Sequence, residues 1–98
     1  MAYGYLAEIP GVRKEQYDAL FEKVTGFSID DDRILPDFLV HVAARLDNGN
    51  WLIVDVLDSK EATERFLAER MGPASAEIGA PPAEPRFFEV SNLRMRKR

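Results

Sequence analysis

The sequence predicts a single α+β domain in the order β-α-β-β-α-β, with two helices packed on a four-stranded antiparallel sheet. Three observations carry this. Runs with strand character occupy residues 2–9, 38–46, 50–57 and 86–93, two stretches of helical periodicity lie between them, and Asp47-Asn48-Gly49 gives a hairpin signal joining the two central runs. Ninety-eight residues suit one domain. It is expected to cover residues 1–93, followed by a basic tail at 94–98.

The first strand, Ala2 to Ile9, is aromatic and apolar and ends at the turn signal Pro10-Gly11. Tyr17, Leu20, Phe21 and Val24 then fall at i, i+3, i+4 and i+7, one face of a helix that Gly26 stops. Residues 26–37 form an acidic loop. Its Asp30-Asp31-Asp32 run lacks the alternation, central Gly and closing Glu of a helix-loop-helix calcium site, and reads as solvated. The two central strands follow. Asp58-Ser59 offers an N-cap for the second helix, with Glu61 placed for a capping box on Asp58. Ala62, Phe66, Leu67 and Met71 make that helix's apolar stripe, Gly72-Pro73 is expected to stop it, and residues 74–79 have room for a further turn or two. Residues 80–85, rich in proline, read as a stiff extended connector to the last strand.

This order is the ferredoxin-like arrangement, with right-handed connections through the helices. Two helices cover only one face of such a sheet. Yet Leu52, Val54 and Val56 alternate with Trp51, Ile53 and Leu57, so the third strand is apolar on both sides. A homodimer is the simplest way to cover the second face. A chain of this size buries only roughly 60–65% of its unfolded surface, which also favours a partner subunit.

Composition excludes several functions. Hydrophobic residues at 46% and charged residues at 31% are ordinary for a globular protein, and no apolar run reaches the roughly 18 residues of a membrane span. There is no cysteine, which removes thiolate chemistry and suits a cytoplasmic protein without a visible signal peptide. The single histidine, His41, removes any multi-histidine metal site. Residues 94–98 hold four positive charges and no acid, leaving nine basic against 17 acidic residues, a net −8, on the rest. Such a body repels nucleic-acid phosphates. The serines lack a nucleophile-elbow context.

The hairpin register decides which polar residues can meet. With a two-residue turn at Asn48-Gly49, His41 and Asp55 point to opposite faces and both faces are mixed. With a three-residue loop, Leu46 pairs with Asn50 and His41 lies across from Asp55. One face then carries Val40, Val42, Ala44, Leu46, Leu52, Val54 and Val56, all apolar, and the other carries His41, Ala43, Arg45, Trp51, Ile53, Asp55 and Leu57. Burying an unpaired polar group costs about 1–3 kcal/mol, so the segregated register is preferred. Asp55 then fixes the His41 tautomer and leaves the second ring nitrogen as base or donor. Trp51 offers a flat wall to an aromatic ligand, Arg45 a cation, and Tyr3 and Tyr5 hydroxyls from one face of the first strand. The alternative is a satisfied structural His-Asp bridge beside core aromatics.

The chain resembles the dimeric α+β barrel superfamily and, within it, the antibiotic-biosynthesis-monooxygenase-like proteins. The likeness runs through Tyr3-Gly4-Tyr5, the segments 38–43 and 51–62, Phe66-Leu67, Gly72-Pro73 and 87–92. It implies a homodimer and a small-molecule reaction, such as oxygenation of an aromatic substrate without a cofactor. Relatives commonly carry an aromatic residue where strand three meets helix two, which is Leu57 here. Haem-degrading relatives use a histidine within helix two, where this chain has Thr63, Phe66 and Leu67, so no haem is expected. Two functions remain: a cofactor-free monooxygenase-like enzyme with His41 as base, Asp55 as its orienter and Trp51 as substrate wall, or a non-catalytic dimeric module. An open cavity of about 300 Å³ or more beside His41 favours the first.

Overall fold

Four antiparallel strands form one sheet in which the second, third, first and fourth strands of the chain stand side by side in that order. The computed structural model describes residues 1–79 and 83–96. Its elements are β1 (Tyr3–Ile9), α1 (Lys14–Thr25), β2 (Phe38–Arg45), β3 (Trp51–Leu57), α2 (Lys60–Phe66), a π-turn (Leu67–Met71), α3 (Gly72–Ile78) and β4 (Arg86–Glu89). This is the expected ferredoxin-like βαββαβ order, with a last strand shorter than residues 86–93. Residues 80–82 of the expected connector, and 97 and 98 of the expected tail, lie outside the described residues. Arg94, Met95 and Arg96 are exposed.

The β2-β3 hairpin takes the three-residue loop. The Leu46 N–H donates to the Asn50 carbonyl at 2.8 Å and the Gly49 N–H to the Leu46 carbonyl at 2.9 Å. Gly49 sits at φ 87°, the left-handed conformation that a side chain disfavours. His41 therefore opposes Asp55, and Arg45 opposes Trp51. A bulge between Phe38 and Val40 adds a residue to β2. It turns Phe38 toward the helices, where its ring meets Phe66 edge-on at 4.7 Å.

The helices cover the hairpin's mixed face, not its wholly apolar one; on the neighbouring strands the open face also carries Glu8, opposite Leu52, and Arg86, opposite Leu6. Tyr5, Ala7, Trp51, Ile53 and Leu57 from the strands pack with Tyr17, Leu20 and Val24 of α1 and with Ala62, Phe66 and Ala74 of the second helical layer. The opposite face presents Val40, Val42, Ala44, Leu52 and Val54, and Val42 is 44% exposed.

Helix α1 ends at Gly26, whose N–H returns to the Glu22 carbonyl at 2.8 Å. Helix α2 begins at Ser59 rather than Asp58: the Ser59 hydroxyl accepts from the Ala62 N–H at 3.1 Å. Ser59→Ala should cost about 1 kcal/mol, or about 4–8 °C in melting temperature for a domain of this size, whereas Asp58→Ala should stay within about 0.5 kcal/mol. Paired thermal melts check this. Gly72-Pro73 does not stop the helix. Phe66, Leu67, Met71 and Gly72 all keep right-handed helical angles, and the Gly72 N–H reaches back five residues to the Leu67 carbonyl. Proline has no N–H and its ring crowds the carbonyl four residues back, so the backbone widens by one residue and continues as α3. Within this turn Arg70 donates to the Val24 carbonyl at 3.0 Å, tying it to the end of α1.

Candidate functional site

Four side chains form one hydrogen-bonded line through the helix-covered face. Asp55, on the central strand β3, is 1% exposed. Its Oδ2 accepts from the Tyr5 hydroxyl on β1, and its Oδ1 lies 2.5 Å from His41 Nδ1 on β2. Strand register brings these three together, since Asp55 opposes Tyr5 on one side and His41 on the other. The Tyr17 hydroxyl of α1 lies 2.8 Å from His41 Nε2. The partners define the protons. Both carboxylate oxygens act as acceptors, so Nδ1 carries a hydrogen, and in the neutral imidazole Nε2 then accepts from the Tyr17 O–H. Among the described residues no buried side-chain nitrogen or oxygen lacks a partner.

Electrostatics holds both phenols protonated. Burial, then the charges of Asp55 and Asp18, pushes Tyr17 up to about 12. Burial pushes Tyr5 up further, reinforced by the charge of Asp55 and by the hydrogen bond to it. A raised folded-state value means that the associated stability is present below the unfolded value of about 10. It is lost as pH rises through the folded values. Near-ultraviolet phenolate absorbance should therefore show two of the three tyrosines ionising well above pH 10 in the native protein, and all three near about 10 in urea. Three ordinary titrations in the native state would contradict the burial of Tyr5 and Tyr17.

His41, with 26% of its side chain exposed, opens onto a cavity of about 330 Å³ between the sheet, α1 and the 26–37 loop. Tyr17 and Asp55 share its floor, Leu20, Phe21, Val24, Phe38, Phe66 and Met71 form apolar walls, and Asp31, Asp32 and Arg33 stand on the loop side. The Phe21 ring lies 5.7 Å from the imidazole. Arg33 is tied down: its Nη2 lies 2.6 Å from Asp31 Oδ2 and its guanidinium lies 4.3 Å over Phe27. The hydrogen bonds from Arg33 hold Asp31 below the usual carboxylate range.

The expected site residues divide. The line joins His41, Asp55 and Tyr5. It does not join Trp51, whose indole stacks on Tyr17 at 4.6 Å and 8° and donates to the Val12 carbonyl at 2.8 Å. Trp51 thus supports Tyr17 from behind instead of walling a ligand. Arg45 is exposed, its guanidinium 5.9 Å from the Trp51 ring centre. Tyr3 stacks on Phe87 at 6.1 Å near the other end of β1, away from the cavity. The second nitrogen of His41 is occupied rather than free, because Tyr17 holds it. Tyr17 is the residue missing from the sequence-based set. Its signal was a hydroxyl-bearing side chain inside an otherwise apolar helical stripe.

The sequence matches no family model and no curated protein. Solved structures do share its fold. An antibiotic biosynthesis monooxygenase assignment from Chloroflexus aurantiacus J-10-fl superposes with a TM-score of 0.69 at 20% identity, covering 97% of this chain and 98% of the other. Rv0793 from Mycobacterium tuberculosis gives 0.69 at 13% identity, with 97% and 100% covered. SnoaB, a cofactor-independent oxygenase from Streptomyces nogalater, gives 0.62 at 16% identity, with 94% and 93% covered. The chain therefore has the fold of the antibiotic-biosynthesis-monooxygenase-like proteins. Among the described residues no helix is long and apolar enough to cross a membrane.

Proposed function

We propose that this protein is a small-molecule enzyme of the cofactor-free monooxygenase-like type, acting on a small aromatic substrate in the cavity beside His41. The observation that carries the reading is the buried carboxylate–imidazole pair at the floor of an apolar, aromatic-walled cavity of about 330 Å³. That is the size and character of a small-ligand pocket. A histidine oriented by a carboxylate is a base suited to removing a proton from a hydroxylated aromatic. The resulting anion is electron-rich enough to be oxidised by dioxygen. One oxygen atom enters the ring carbon. The other leaves as water with the ring hydrogen and the hydroxyl hydrogen, so a hydroxyarene becomes a quinone. The cofactor-independent oxygenase among the similar folds supports this reading.

A second copy covers the open sheet face. Val40, Val42, Ala44, Leu52 and Val54 form an apolar surface with no helix over it. Sedimentation at micromolar concentration should give about twice the monomer mass of 11.1 kDa. A monomer throughout would overturn the dimer.

The enzymatic reading is tested by dioxygen uptake with alpha-naphthol as the trial substrate, with no metal or flavin added. Uptake matched by naphthoquinone formation, and lost in His41→Ala, is the expected result. Binding of naphthol without uptake would make the chain a dimeric ligand-binding module, whose polar groups are already satisfied by one another.

A further inference from the structure

We infer that the ligand's hydroxyl meets Tyr17, not His41, and that the Tyr17 hydroxyl relays the ligand's proton to the imidazole. This rests on the small-aromatic reading of the cavity and names the ligand class: an uncharged arene carrying an acidic hydroxyl, a phenol or naphthol.

The argument is geometric. An imidazole takes a proton only in its ring plane, at a nitrogen lone pair. His41 Nδ1 is held by Asp55 at 2.5 Å and Nε2 by the Tyr17 hydroxyl at 2.8 Å. A ligand in the cavity can reach the imidazole's edge or face, but neither nitrogen is open to it. The Tyr17 oxygen spends its one hydrogen on Nε2 and keeps lone pairs for a donor from the cavity, whose floor it shares. Its position is fixed from behind by the Trp51 stack, which the Val12 carbonyl anchors through the indole N–H. A phenol held protonated at neutral pH is no base by itself. It can accept a proton only while giving up its own.

The step balances. The ligand O–H bond breaks and a new Tyr17 O–H bond forms. The old Tyr17 O–H bond breaks and an Nε2–H bond forms. The products are an aryloxide in the cavity and an imidazolium against the Asp55 carboxylate. The Tyr5 hydroxyl, donating to the other carboxylate oxygen, steadies that charge. The acids Asp31 and Asp32 on the loop side, against one already paired Arg33, favour an uncharged entrant over an anionic one.

The test uses para-nitrophenol, whose ionised form has its own visible absorbance, at a pH where the free compound is neutral. The wild-type protein should bind it and develop the nitrophenolate band. Tyr17→Phe keeps the ring that stacks on Trp51 but removes the relay oxygen; Nε2 is then unpartnered yet lies a further hydrogen-bond length from the ligand hydroxyl, so the probe should bind with its nitrophenolate band sharply reduced. If Tyr17→Phe ionises the probe as wild type does, the relay is overturned while the cavity reading stands. A probe that binds wild type but stays neutral has the same meaning. If wild type does not bind nitrophenol at all, the cavity reading falls and the relay with it. Should Tyr17→Phe fail to fold, para-nitroanisole decides on the wild type alone. It has no hydroxyl to donate and should bind about tenfold more weakly, the worth of one ordinary hydrogen bond. Equal binding overturns the proposal.

Discussion

Asp55→Ala should destabilise the protein by about 3–5 kcal/mol, a large part of the roughly 5–15 kcal/mol that holds a small domain folded. Asp55 is fully enclosed and accepts from two donors, the Tyr5 hydroxyl and His41 Nδ1. Its removal strands both, at about 1–3 kcal/mol each. Asp55→Asn should be only partly better, because an amide offers one acceptor oxygen and turns its own donors toward a second donor. The combined variant Tyr5→Phe/Tyr17→Phe/His41→Leu/Asp55→Leu should recover most of the loss, since replacing every member of the line with an apolar side chain strands nothing. Urea denaturation at one fixed protein concentration reads all three. If Asp55→Ala costs less than about 1 kcal/mol, the network is not closed as described. If the apolar variant stays as unstable as Asp55→Ala, shape rather than unpaired polarity is the cause.

Gly4→Ala should cost about 1–3 kcal/mol, the range of overpacking, at a strand position where alanine is ordinarily harmless. A Cβ on Gly4 would meet the Asp55 backbone carbonyl well inside contact distance and the Phe88 ring at 2.8 Å. Phe88 is a side chain and can move, whereas the carbonyl belongs to the central strand. The variant must therefore part β1 from β3 at the place where Tyr5 reaches Asp55, and ligand binding should fall with stability. Gly4→Ala/Phe88→Ala separates the two contacts. If removing the Phe88 ring restores the melting temperature relative to Phe88→Ala alone, the backbone approach is not the obstacle.

The register of the hairpin was legible because a slip of one residue exchanges every side chain between faces, and only one slip gathers His41, Arg45 and Asp55 on the same side. Which side the helices would take was not legible. Segregation invites the wholly apolar face into the core, but the helices lie on the polar one, where Tyr5 and Tyr17 complete the bonds of Asp55 and His41. Satisfied in this way, the polar face costs little to bury, and the hairpin's apolar face is left without a helix over it. Trp51 was misplaced for a related reason. An indole on the same face as a histidine can wall a ligand or back a neighbour, and only the position of α1 decides. Tyr17 passed as one member of an apolar stripe because periodicity reports which face a residue occupies and not what its terminal atom touches.

The π-turn has a consequence for how the chain can vary. Positions eight apart on an α-helix lie about 80° out of line around the axis, and seven apart only about 20°. Phe66 and Ala74 are eight apart yet both buried in the core, because the wide turn loops out one residue and restores the phase. Deleting one residue between 67 and 70 should let this helix run uninterrupted and still bury Phe66 and Ala74 together. What it would forfeit is the lateral reach of Arg70 to the Val24 carbonyl at the end of α1.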